Sequence, residues 1–156
     1  MNGNSEVLIV GAGAIGLSVA GWMSPHYENL HILARGESLS AIRKTGLHLY
    51  QLGQEATTAP IPLRVVESLD EAPTPDIIII AVKNYDLDQA AQMIKQNLGN
   101  HEPIVASLQN GVENQQIVPK YFSKTIYGVV LQRLAGWTWK SRLRETRLPD
   151  HRHPKK

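Results

Sequence analysis

Residues 7–16 read Val7-Leu8-Ile9-Val10-Gly11-Ala12-Gly13-Ala14-Ile15-Gly16, four apolar residues that run straight into glycines spaced as GxGxxG. The apolar run has the β-branched character of a buried strand, and the residues from Ala14 onward have helical spacing. In that context each glycine has its own task. Gly11 permits a tight strand-to-helix turn, Gly13 lets the backbone approach a pyrophosphate, and Gly16 lets the helix pack closely on the strand. The free amides and positive dipole end of the helix favour an anion there. Gly11, Ala12, Gly13, Ala14, Ile15 and Gly16 are therefore candidate dinucleotide-binding residues. A glycine-rich turn that binds nothing, or a related fold holding S-adenosylmethionine or FAD, remains open to the same segment.

Outward from this stretch, residues 1–132 alternate apolar runs with helical or loop segments, the pattern of a parallel sheet covered on both faces. Strands are expected at 7–10, 30–34, 77–82, 104–108 and 125–131, with weaker candidates at 47–52 and 61–66. The run Ile77-Ile78-Ile79-Ile80-Ala81-Val82 is apolar at every position, which predicts a central strand. Helices are expected at 14–23, 39–45, 87–98 and in part of 112–121, where Pro119 limits the last. The fold class that follows is α/β, a doubly wound parallel sheet.

Such sheets place ligands beyond the carboxyl ends of their strands, and three polar residues stand there. About twenty residues beyond the glycines, where an acid usually binds ribose hydroxyls, the sequence has Arg35. A guanidinium suits a ribose 2′-phosphate, because its planar fork makes charge-assisted bonds to two oxygens. That favours NADP over NAD, although Glu37 offers a competing ribose acceptor and Arg35 can also be read as a solvated loop charge. Ser38 is expected to cap a helix beginning at Leu39, and Ser38 and Ser40 are alternative hydroxyl donors. Lys83 follows the central strand and is suited to a ribose hydroxyl or a substrate carboxylate; as an ordinary surface lysine it needs no partner. Asn110 both donates and accepts, so it can bridge nicotinamide ribose and substrate, or simply form an Asn-Gly turn or a helix cap.

Composition narrows the remaining classes. The chain has 156 residues, 42% hydrophobic and 19% charged, with no cysteine for disulfide or thiolate chemistry. The amino terminus lacks the cationic region of a secretory signal and no apolar run is long enough to span a bilayer, so a cytoplasmic protein without membrane contact is expected. The histidines are scattered and His151 and His153 lack a second ligand cluster, so no metal site is expected. Nucleophile-elbow, HExxH and Walker A patterns are absent from the sequence. Asp86, Asp88 and Glu113 suit helix starts.

Charge is uneven. Residues 1–132 carry eight Lys/Arg against twelve Asp/Glu, net −4, whereas residues 133–156 carry eight against two, net +6. The basic segment has neither a heptad nor a basic amphipathic repeat, so nucleic-acid binding is not expected of it. Two domains of unequal standing are anticipated: a nucleotide-binding domain at 1–132, and a basic tail at 133–156 that is disordered or foreign to the native frame.

The segments GAGAIG at 11–16, LARG at 33–36, DIIIIAVKNYD at 76–86 and LQNGVEN at 108–114 together resemble ketopantoate reductases in order and spacing. The resemblance implies a Rossmann NADP-binding domain and NADPH-dependent reduction of 2-dehydropantoate to D-pantoate, toward pantothenate and coenzyme A. It implies that the glycine loop holds the pyrophosphate, that Arg35 meets the 2′-phosphate, and that Lys83 and Asn110 lie at the cleft, Asn110 also touching substrate. NADPH and a small 2-keto acid would be the partners. The family's helical carboxyl-terminal domain, with its proton-donating lysine and substrate-binding acid, has no matching motif here, so no catalytic residue is assigned. The chain is expected to be a truncated family member, inactive alone, with self-association possible through an exposed domain interface.

Overall fold

The opening apolar run forms a strand, β1 (Val7–Val10), buried at all four positions because neighbours flank it on both sides. In the computed structural model, which describes residues 5–49 and 59–130, it is one of six parallel strands. The others are β2 (Leu30–Leu33), β3 (Arg64–Val66), β4 (Ile77–Ile80), β5 (Ile104–Ser107) and β6 (Thr125–Tyr127), in spatial order β3-β2-β1-β4-β5-β6. The order reverses between β1 and β4, the switch point at which doubly wound sheets bind ligands. Right-handed crossovers then put the first two helices on one face and the later ones on the other.

Helices α1 (Ala14–Met23) and α2 (Gly36–Thr45) cover the first face. There Leu17, Ala20, Leu39 and Ile42 pack with Val7, Ile9, Leu30 and Ile32. Helix α3 (Asn84–Leu98) covers the other face through Leu87, Ala91 and Ile94, one stripe at i, i+4 and i+7, joined by Val118 and Phe122 after the short α4 (Asn114–Ile117). The central strand expected at 77–82 is β4, between β1 and β5, with Ile78 and Ile80 fully buried.

Cover on the first face stops short of the sheet's far edge. Ile104 and Ile126 lie on that face, in register through Ile77 and Ala106, and are 41% and 57% exposed. Among the described residues no helix covers them, because α1 and α2 lie over β1, β2 and β3.

Several boundaries differ from expectation. Helices α2 and α3 begin at Gly36 and Asn84, three residues before the expected starts at Leu39 and Leu87. Ser38 therefore lies inside α2 and does not cap it; Arg35 and Lys83 occupy the N-cap positions, neither with a side-chain cap bond. Of the weak strand at 61–66 only Arg64–Val66 joins the sheet, while Ile61 forms an isolated antiparallel bridge with Leu47. The rest of the 47–52 expectation from residue 50 onward, and the tail at 133–156, lie outside the described residues. Among those residues no helix is long and apolar enough to cross a membrane, and no group of three or more His, Asp or Glu is arranged to hold a metal.

Candidate functional site

Because all six strands run the same way, their carboxyl ends share one edge, and backbone bonds lock neighbouring exits together. Gly11 N donates to Leu33 O at 3.3 Å, Ala81 N to Val10 O at 2.9 Å and Leu108 N to Ile80 O at 3.0 Å. The exits of β2, β1, β4 and β5 thus form a continuous row, which carries Arg35, the glycine loop, Lys83 and Asn110 in that order.

The glycine loop is built as its spacing requires. Gly11 has φ +114°, and a β-carbon there would come within 3.0 Å of the Ala81 carbonyl carbon and the Val82 nitrogen. At Gly16 a β-carbon would lie 1.9 Å from the Gly11 carbonyl oxygen. Gly13 differs: it is exposed, and nothing lies within 4 Å of where its β-carbon would be. It is the N-cap of α1, with no side-chain cap and no acid in the first turn. The positive end of α1 therefore faces open space with its leading amides available, a cradle that fits a diphosphate.

Two exposed cations flank that cradle. Arg35 at the N-cap of α2 extends toward the other face of the sheet, its guanidinium 3.0 Å from Met93 Sδ on α3. Lys83 is the N-cap of α3. Glu37, the rival ribose acceptor, sits in the first turn of α2. A separate concavity along α2, lined by Gly36, Glu37, Ser40, Ala41, Lys44 and Thr45, begins one residue past Arg35 and does not include the glycine loop.

Beside β5, Asn110 is already engaged. Its side-chain amide donates to Val130 O at 3.4 Å and accepts from Val130 N at 3.3 Å, while its own carbonyl accepts from Asn84 Nδ2 at 3.1 Å. It therefore does not cap α4; Glu113 holds that position. Gln109, to which the sequence assigned no role, is buried and donates through Nε2 to Ile80 O and Val82 O, both at 3.0 Å, and accepts from Ser107 Oγ. Its carbonyl accepts from Asn114 Nδ2 at 3.2 Å. These bonds fasten the β4 exit to the β5 exit. A lone Gln after a strand gives no sequence signal for such burial, though its place inside LQNGVEN marked the segment.

Residues 7–138 match the family model for ketopantoate reductase, PanE/ApbA. The chain belongs to the ketopantoate reductase family. It is 32% identical over 124 residues to a 2-dehydropantoate 2-reductase of Pyrococcus horikoshii, covering 80% of this chain and 39% of that protein. Against the 2-dehydropantoate 2-reductase of Mesorhizobium japonicum it is 35% identical over 113 residues, 69% of this chain and 32% of the relative. A family ketopantoate reductase of Ralstonia eutropha superimposes with a TM-score of 0.65 at 28% identity, over 80% of this chain and 39% of its own. A D-mandelate dehydrogenase solved with NADH and anilino(oxo)acetate gives 0.64 at 26% identity, over 80% and 40% of the two chains. The chain thus spans about two fifths of the length of the family members it matches. The family is one of oxidoreductases, and with the sheet it implies a nicotinamide dinucleotide cofactor.

Proposed function

We propose that this chain is the NADP-binding portion of a 2-dehydropantoate 2-reductase, serving D-pantoate formation in the cytoplasm. One observation carries the reading: cations occupy the N-caps of α2 and α3 on either side of the uncapped start of α1. A positive side chain at a positive helix end is unfavourable by about 0.3–1 kcal/mol in an exposed setting. Acids do stand in the first turns, Glu37 in α2 and Asp86 in α3, but the N-cap positions themselves carry the cations. A polyanion lying along the edge attracts both cations and the helix ends together, which outweighs their mutual repulsion.

In this arrangement the α1 amides and Gly13 hold the diphosphate and Arg35 turns from Met93 to the 2′-phosphate. Lys83 and Asn110 border the nicotinamide ribose, with Asn110 also reaching the 2-keto acid. When bound, the nicotinamide supplies hydride to the ketone carbon. The lysine and acid that the family resemblance implies for proton transfer and substrate binding have no match in this chain. We therefore infer cofactor binding with little or no turnover by the chain alone. A second reading, a nucleotide-binding module with no catalytic partner, shares that behaviour.

The test is fluorescence titration with NADPH and NADH. NADPH should bind about 10- to 100-fold more tightly, the scale of a charged hydrogen bond, and Arg35→Ala should remove the difference. Equal affinities in the unaltered chain would overturn the NADP assignment and leave Glu37 as the ribose ligand.

A further inference from the structure

Asn84 opens α3 one residue after Lys83; it lies within the DIIIIAVKNYD segment, but the sequence assigns it no role of its own. Its side-chain amide crosses to the next strand exit and donates to the Asn110 carbonyl at 3.1 Å. Gly111 follows Asn110 and sets the turn through its backbone, not by clearing space. With φ +114° it turns the chain as L residues rarely do, whereas a β-carbon there would stand at an ordinary contact distance, 3.5 Å, from Asn84 Nδ2. Asn110 then passes the connection on, exchanging two longer bonds of 3.3 and 3.4 Å with the backbone of Val130 beyond β6. Three successive strand exits are thereby joined by two asparagines.

The two parts of this clasp differ in strength. The bond from Asn84 has ordinary length and fixes main chain. All three bonds are exposed, but the pair between Asn110 and Val130 is the longer on both sides and hence the more readily exchanged for other partners. We propose that Asn84 is a positioning residue of the cofactor cleft, which holds the Asn110–Gly111 turn so that the Asn110 side chain can leave Val130 for the nicotinamide half of NADPH. This inference rests on the reading that the dinucleotide lies along this edge. Asn84 is not itself placed against the ligand; it acts through the carbonyl of Asn110.

The two halves of a dinucleotide use different halves of such a sheet, and that separates positioning from general loosening. Affinities for NADPH and for adenosine 2′,5′-bisphosphate, which reaches only the Arg35 side, are to be measured on the full chain. The series comprises the unaltered protein, Asn84→Ala, Asn84→Asp, Asn110→Ala and the Asn84→Ala/Asn110→Ala pair. Loss of one hydrogen bond should weaken NADPH about 3- to 10-fold in Asn84→Ala. Asn84→Asp, which keeps the shape but not the donor, should weaken it at least as much. The bisphosphate should bind all variants alike, and the double variant should be no weaker than Asn110→Ala, because coupled residues are not additive. Unchanged NADPH affinity in Asn84→Ala or Asn84→Asp overturns the role, as do equal losses for both ligands or full additivity in the double variant. If Asn110→Ala alone binds NADPH normally, Asn110 is not a ligand residue and the role falls with it. An unaltered chain that binds neither nucleotide overturns the cleft reading itself, before any substitution is made.

Discussion

His31 occupies the middle of β2, its ring 12% exposed, with Nδ1 3.8 Å from a Glu6 carboxylate oxygen. Burial is the largest influence on its titration and lowers its pKa from the ordinary 6.5; Glu6 opposes the shift and Arg64 reinforces it. A histidine held neutral in the folded chain takes up its proton more readily when unfolded. Its contribution is therefore complete above pH 6.5, the unfolded value, and is lost as pH falls below it toward the lower folded value. Urea midpoints at pH 7.5, 6.5 and 5.5 should fall with acidity, and His31→Gln should flatten that slope relative to the unaltered chain. Identical slopes in both proteins would show that the Glu6 pairing cancels the effect of burial.

At the scale of elements, the start of α1 separates stability from binding within four residues. Gly16→Ala drives a β-carbon against the Gly11 carbonyl oxygen, backbone that cannot turn aside, at 1.9 Å. Its cost should reach or exceed the upper end of the roughly 1–3 kcal/mol typical of overpacking. Gly13→Ala meets nothing within 4 Å and has an ordinary φ of −87°, so the fold should be undisturbed while the methyl group occupies the approach to the α1 amides. Thermal melting and NADPH titration of the two variants should give opposite patterns: a lowered midpoint for Gly16→Ala, and an unchanged midpoint with at least tenfold weaker binding for Gly13→Ala. Full NADPH affinity in Gly13→Ala would remove α1 from the binding site. The starts of α2 and α3 teach a related lesson. Both were placed three residues late because a helix start is sought at Ser, Thr, Asp or Asn, whereas these helices begin after Arg35 and Lys83 with no side-chain cap. The residues that obscured the boundaries are the two candidate anion ligands.

At the scale of the whole molecule, cover of the sheet by the described residues is uneven: α1 and α2 lie over β1, β2 and β3. Ile104 and Ile126 stand exposed on the face that α1 and α2 leave open at β5 and β6, and Val129 just beyond is 72% exposed. Exposed apolar side chains favour association, so copies of the chain are expected to meet through this face. Light scattering across a concentration series should show mass rising above the 17.3 kDa monomer, and Ile104→Thr with Ile126→Thr should return it toward that value. Association unchanged by both substitutions would place the contact elsewhere.

The sequence by itself determined the sheet class, the glycine turn and which polar residues leave the strands at their carboxyl ends. Each of these is written locally: four apolar residues before GxGxxG demand a buried strand and a tight turn, and α1 spans Ala14–Met23 as its spacing predicts. Parallel strands then send Arg35, Lys83 and Asn110 to one edge without further information. Only the tertiary structure decided what those side chains do before a ligand arrives. Arg35 rests on Met93, 58 residues away, and Asn110 is held by Asn84 and Val130, 26 and 20 residues away. The Gln109 bonds to Ile80 and Val82 and, among the described residues, the exposure of Ile104 and Ile126 have the same origin. A polar side chain takes whichever donors and acceptors the packed strands bring within about 3 Å, and that set depends on which strands become neighbours rather than on which residues are adjacent in the chain.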